Sequence, residues 1–155
     1  MNDFQEQFAG FLESFGQGRK MVLSTAAHDV VSSRMMSVVR LDGAFYFQTD
    51  QALRKYRQLS VNPRAALCID NIQIEGICSE LGAPLAHAAF CAAFRTCFRG
   101  SYDAYTALEN ERLFVLHPTR IERWLYLDGM PYIEIFDLEN ERYSCEKYTG
   151  VLDVT

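Results

Sequence analysis

The sequence predicts a mainly β or α+β protein, a small antiparallel barrel with a few peripheral helices. Three observations carry this. Short stretches of period-two hydrophobicity recur along most of the chain, tight-turn pairs such as Asp42-Gly43 and Asp128-Gly129 join them, and helical segments are inserted singly instead of alternating with strands.

The elements follow in order. Phe4, Phe8, Phe11, Leu12 and Phe15 form one apolar stripe at helical spacing, so a packing helix is expected over 3–16, stopped by Gly16 and Gly18. From Lys20 the period changes to two, giving strands over 21–26, 33–40 and 44–49, with polar turns at His28-Asp29 and Asp42-Gly43. Residues 52–59 read as a short helix ended by Asn62-Pro63, because a residue before proline avoids the helical region. Strands are expected over 65–69 and 72–78, then a helix over 85–98 opened by Pro84, and a further helix over 101–108. Segments 113–117, 121–127 and 132–138 are the last strand candidates, and an acidic, peripheral tail is expected from about Glu139. With 155 residues, the chain is expected to form one domain over 1–155.

Composition narrows the function classes. Hydrophobic residues make up 49% and charged residues 23%, near the globular average, which disfavours disorder and fibres. No apolar run approaches the ~20 residues that span a bilayer, and Asn2, Asp3, Gln5 and Glu6 do not resemble a signal peptide, so a cytoplasmic protein without membrane contact is expected. The net charge of −5 argues against nucleic acid as a partner. The charge is uneven: residues 1–64 carry eight Lys/Arg against six Asp/Glu, so a small anionic ligand would favour that half. Five cysteines without a CxxC pair indicate neither a zinc knuckle nor a full disulfide framework, and reduced, buried thiols are expected. His28, His87 and His117 have no companions at metal-ligand spacing, so no metal site is expected, and no nucleophile-elbow pattern occurs.

The informative stretch runs from Arg34 to Gly76. Arg34 and Ser37 on one strand, Gln48-Thr49 at the end of the next, and Arg54-Lys55 at a helix start bring a guanidinium, an ammonium and neutral donors to one end of the sheet. Those are the groups that hold a phosphate. The competing reading is that Arg54, Lys55 and Arg57 are a solvated helix face, and the spacing alone leaves both open. Gln73 equally reads as an ordinary cross-strand polar residue, and Trp124 as core.

The text 33–39 (Ser-Arg-Met-Met-Ser-Val-Val), Asp42-Gly43, 45–50 (Phe-Tyr-Phe-Gln-Thr-Asp), Arg54-Lys55-Tyr56, Asn62-Pro63-Arg64 and 72–76 (Ile-Gln-Ile-Glu-Gly) resembles the pyridoxamine 5′-phosphate oxidase-like FMN-binding split β-barrels, and their general-stress-protein branch in particular. Arg54 follows Thr49 by five positions and Pro63 follows it by fourteen, as in that family, and 117–124 (His-Pro-Thr-Arg-Ile-Glu-Arg-Trp) resembles its C-terminal Pro-x-Arg-Ile-Glu-x-Trp strand. The resemblance covers residues 19–76 well and 113–124 more weakly.

It implies a split antiparallel β-barrel acting as a homodimer, with FMN in clefts between the subunits. Arg54 and Lys55 would hold the phosphate, and Arg34 with Met35, Met36 and Ser37 would support the phosphate end and the flavin edge. Gln48 and Thr49 would meet the flavin or ribityl chain, Gln73 the polar edge of the ring, and Trp124 would approach from the partner subunit. The implied activity is electron transfer through the flavin to a small organic acceptor. The alternatives are a non-catalytic module holding flavin or heme for sensing, storage or stress protection, and an empty dimerisation barrel. The sequence departs from the family after the tryptophan strand: residues 125–138 contain no Arg, Lys or His where the family's Arg-x-His segment holds the substrate phosphate, which argues against the vitamin B6 reaction itself.

Overall fold

The structure is a computed structural model that describes residues 3–151. Eight strands and four α-helices follow the order α1 (Asp3–Phe15), β1 (Gly18–Ala27), β2 (Val30–Leu41), β3 (Ala44–Asp50), α2 (Arg54–Val61), β4 (Arg64–Ile69), β5 (Ile72–Gly82), α3 (Ala88–Cys97), α4 (Arg99–Tyr105), β6 (Glu111–Leu127), β7 (Met130–Asp137) and β8 (Arg142–Lys147). A single 3-10 turn, Pro84–Ala86, precedes α3.

All strand pairings are antiparallel, in the order β3-β2-β1-β4-β5-β6-β7-β8, and β3 also pairs with β6. That extra pairing closes β1 to β6 into a six-stranded barrel and leaves β7 and β8 as an extension, the split form of the barrel. The hairpins turn where the sequence places them: His28 and Asp29 both have positive φ (51° and 64°), as do Asp128 and Gly129 (51° and 77°), which is the backbone a two-residue hairpin of the right twist requires.

The long strand β6 organises the closure. The sequence suggested two strands over 113–117 and 121–127, whereas one strand runs through both. Its first part pairs with β3 (Glu111 to Leu116) and its last part with β7 (Arg120 to Leu127), while β5 runs along its other edge. Pro118 falls between the two partners, where its missing N–H costs no ladder bond, and opposite a register shift at Glu75/Gly76. Gly76 is buried there, and a Cβ on it would run into the Leu116 side chain and the His117 carbonyl. The segment expected as an acidic tail also contributes structure: β8 pairs with β7 from Arg142 to Lys147.

Inward side chains of the barrel, among them Met21, Leu23, Val38, Phe45, Phe47, Leu67, Ile74, Leu116 and Ile121, are fully buried. Helix α1 lays Phe4, Phe11 and Phe15 on this core, with Phe11 5.5 Å from Phe136 and Phe15 5.1 Å from Phe45 between ring centroids. A second apolar cluster lies outside the barrel, where α3 covers Val39 and Leu113 with Phe90, Ala93 and Phe94. No helix among the described residues is long and apolar enough to cross a membrane.

Candidate functional site

A cavity of about 500 Å³ opens at the end of the barrel where β3 finishes and β6 begins. Met35, Met36 and Ser37 of β2 form one wall, Gln48, Thr49 and Asp50 of β3 the floor, and Ala52, Leu53 and Lys55 the rim at α2. Phe94 of α3, Ser101 and Tyr105 of α4, then Leu108 and Glu111, complete it. Its volume and mix of apolar walls with a few convergent polar groups suit a planar organic ligand.

The polar floor is held in place by the fold. Gln48 (8% exposed) accepts a hydrogen bond at 3.0 Å from the Thr106 hydroxyl and bonds to the Glu111 carboxyl through its side chain. Asp50 and Glu111 stand opposite each other as cross-strand partners, and Asp50 Oδ1 accepts the Ala52 N–H at 2.7 Å, fixing the turn into α2.

The cationic rim is set by α2. This helix begins with Arg54 and Lys55, has no acidic residue in its first turn, and no side chain caps it. Helix N-termini carry orphan N–H donors and partial positive charge, so placing two cations there is unfavourable unless an anion sits beside them. Arg34 adds to the tension. Burial and then the neighbouring Arg54 lower its proton affinity, and burial followed by Arg34 lowers that of Lys55, opposed by Glu111 and Asp50. None of the ion pairs among the described residues involves Arg34, Arg54 or Lys55. An anion would relieve all three.

Arg34 itself does not line the cavity. Its Nη1 donates to the Thr25 hydroxyl at 2.7 Å and to the Leu23 carbonyl at 3.3 Å, and its Nη2 donates to Gln58 Oε1 at 3.3 Å. Thr25 also donates to Gln58 Oε1 at 2.6 Å, and Gln58 Nε2 donates to Ser32 Oγ at 3.2 Å. Through this buried network Arg34 ties α2 to the β1-β2 hairpin and positions the helix start.

Of the residues singled out from sequence, Met35, Met36, Ser37, Gln48, Thr49 and Lys55 meet at the cavity, and Arg34 and Arg54 act on its rim through charge and packing. Gln73 and Trp124 do not line it. Gln73 pairs with Glu122, two residues before Trp124, so all three project from one face of β5-β6, opposite the buried Ile74 and Ile121. The Trp124 ring there lies 5.0 Å from that of Tyr148, tilted by 54°, and Asn71 donates to the Trp124 carbonyl at 2.9 Å.

Sequence reasoning missed Glu111, Asp50 and the contribution of α4. Glu111 is only 5% exposed, and burial, then Asp50, push its carboxyl up to about 7 against the pull of Lys55 and Gln48. The one signal available was its place at the head of a strand pairing with Gln48-Thr49-Asp50, which needs the barrel closure to be known.

Comparison with known proteins agrees with this architecture. A family model for pyridoxamine 5′-phosphate oxidase matches residues 4–125. The chain belongs to the pyridoxamine 5′-phosphate oxidase-like family. The fold of this family recurs in the crystal structure of general stress protein 26 from Bacillus anthracis, with TM-score 0.57 and 21% identity over 77% of this chain and 92% of that one. It also recurs in a pyridoxamine 5′-phosphate oxidase-related, FMN-binding protein from Nostoc punctiforme (TM-score 0.63, 14% identity, 96% and 98% covered). A heme-binding protein from Mycobacterium smegmatis is similar as well, with TM-score 0.63 and 15% identity over 95% of this chain and 59% of that one. Comparison with curated protein sequences finds no match.

Proposed function

We propose that this protein is an FMN-binding flavoprotein that passes electrons from a reduced donor to a small organic acceptor, working as a cytoplasmic homodimer. The observation that carries this reading is the unpaired cation cluster of Arg34, Arg54 and Lys55 at the uncapped start of α2, beside a cavity of flavin-compatible size. A dianionic phosphate is costly to bury without paired cations, and here no ion pair among the described residues engages Arg34, Arg54 or Lys55. Lys55 and Arg54 would hold the phosphate, and Arg34 would keep the helix start in place. Gln48, Thr49 and Ser37 would bond the ribityl chain and ring edge, against the apolar wall of Met35, Met36 and Phe94. Bound there, the flavin would supply the redox chemistry, and the protein sets access and orientation.

Gln73 and Trp124 face away from their own chain's cavity, so their use in a flavin site requires a second subunit, which supports the dimer. The lack of basic residues over 125–138 supports a substrate other than a vitamin B6 phosphate. The likeness to a heme-binding relative supports one second reading, a non-catalytic module for a planar anionic ligand. Against heme, no histidine among the described residues lines the cavity, and Met35 and Met36 are the sulfur-bearing side chains that do.

The visible absorption spectrum of the purified protein, before and after addition of FMN and gel filtration, tests these readings. A flavin spectrum retained in proportion to the chain is expected. A colourless protein that refuses FMN would refute the proposal, and an intense heme band would replace it with the second reading.

A further inference from the structure

Glu111 is a buried carboxyl at the cavity that the flavin reading leaves without a task. It heads β6, is 5% exposed, and lines the cavity. Every element around it contributes a facing group: Asp50 and Gln48 from β3, Lys55 from α2, and Ser101 and Tyr105 from α4, with Thr106 bonded to Gln48 behind them. Its strand neighbour Arg112 is engaged elsewhere, donating to the Glu109 and Glu111 carbonyls and facing Glu80 at 3.8 Å, so among the described residues the cation that acts on the Glu111 carboxyl is Lys55.

Resting on the flavin reading, we infer that Glu111 is the proton-holding residue of this cavity: it takes up a proton as an anionic ligand settles beside Lys55, and the resulting carboxylic acid donates a hydrogen bond to a neutral acceptor on that ligand. The geometry makes the coupling unavoidable. Lys55 is shared between the incoming anion and the Glu111-Asp50 pair, and a phosphate beside it adds negative charge where two carboxylates already face each other. The carboxyl stands close to neutrality in proton affinity before any ligand arrives, at about 7, so a modest further push moves it across the physiological range. Linkage is reciprocal: if the ligand strengthens proton binding, the proton strengthens ligand binding. Each pKa unit by which the ligand raises Glu111 weakens binding about tenfold at a pH above both values. The chemical class selected is a phosphate-bearing ligand with an uncharged hydrogen-bond acceptor close to its phosphate.

FMN affinity of the wild type and of Glu111→Gln, measured by fluorescence titration between about pH 6 and pH 8, tests this. The phosphate of free FMN titrates in the same window but identically in both experiments, so the difference between the proteins belongs to Glu111 and its coupling to the bound ligand. For a one-unit rise from about 7, the wild-type Kd is expected to rise about fivefold more than that of the variant across the range. Equal rises would overturn the coupling while leaving the flavin reading intact. A wild type that binds no FMN at any pH would instead overturn the flavin reading, and the coupling with it. Carbon-13 NMR of the wild-type glutamate carboxyls keeps the test independent of the variant's folding. A Glu111 resonance titrating near neutrality, and moving to higher pH with FMN, is expected; one ionised throughout in both states would overturn the proposal.

Discussion

Replacing Arg54 and Lys55 together by Ala tests the anion site most directly. Each charge-assisted hydrogen bond to a phosphate contributes about 1.5–3 kcal/mol, so two contacts set a nominal loss of about 3–6 kcal/mol. The two cations are not equivalent. Lys55 is half-buried and lines the cavity, whereas Arg54 is exposed and acts through a more polar medium, so its share falls toward the lower end. A loss of about 3–4 kcal/mol follows, or a roughly 100- to 1,000-fold weaker Kd, with Lys55→Ala alone giving the larger part. The assay is quenching of FMN fluorescence, with riboflavin titrated in parallel because it has the same ring and ribityl chain but no phosphate. Riboflavin affinity should change little, and the ligand-free double variant should melt no lower than the wild type, since repulsion with Arg34 is relieved. An FMN affinity within a few-fold of wild type, or an equal loss for riboflavin, would refute the phosphate assignment.

Other expectations probe the scaffold around the site. Gly76→Ala places a methyl group against Leu116 and the His117 carbonyl where β6 changes partners, and should cost about 3 kcal/mol in urea unfolding, while Gly10→Ala, with open space around it in α1, should stabilise by about 0.5–1 kcal/mol. Gln58→Leu strips Thr25 and Arg34 of their shared acceptor and should lower stability by about 1–3 kcal/mol, with a loss of FMN affinity as α2 loosens. Glu111 binds its proton more tightly folded than unfolded, so its contribution to stability is greatest below the ordinary carboxylate range and falls as pH rises to about 7. Glu111→Gln should therefore match the wild type in melting temperature near pH 4 and exceed it at pH 8. Light scattering of the FMN-loaded protein should give a dimer, and an FMN-bound monomer would defeat the shared-cleft arrangement.

Much of this was legible in the sequence because it is written locally. The α1 stripe, the Asp-Gly turns and the period-two strands depend on neighbours within a few residues, and the Arg54-Lys55 pair announces itself at a helix start. The misread parts depend on partners distant in sequence. Pro118 looked like the end of a strand because a proline breaks one ladder, yet β6 exchanges β3 for β7 at that point and loses nothing. The segment 142–147 looked like a solvated tail because its charges hide that only one edge and one face need a partner, and β7 supplies the edge. Glu111 carried no spacing signal, since its significance comes from standing across from Asp50. The resemblance gave Gln73 the ring edge and had Trp124 approach from the partner subunit; that neither lines its own chain's cavity depends on the register of β5 and β6.

The placement of the cations also explains why such a site is built at a seam instead of inside the barrel. Arg34, Arg54 and Lys55 repel one another, and a helix start carrying two of them is a local destabilisation that the chain must offset elsewhere. The offset is visible: the Thr25-Gln58-Arg34 network fastens α2 to the first hairpin, over a closed, aromatic-rich barrel. An anion that binds only the folded form returns this stored repulsion as stability, so ligand occupancy and folding are linked through α2 more than through the barrel. On the opposite wall, α3 and α4 rest on their own apolar cluster outside the barrel, so Phe94, Ser101 and Tyr105 are positioned independently of the cationic rim. Under the proposed function, the residues facing the acceptor would thereby be separated from those holding the phosphate, and the first set could change without disturbing the second.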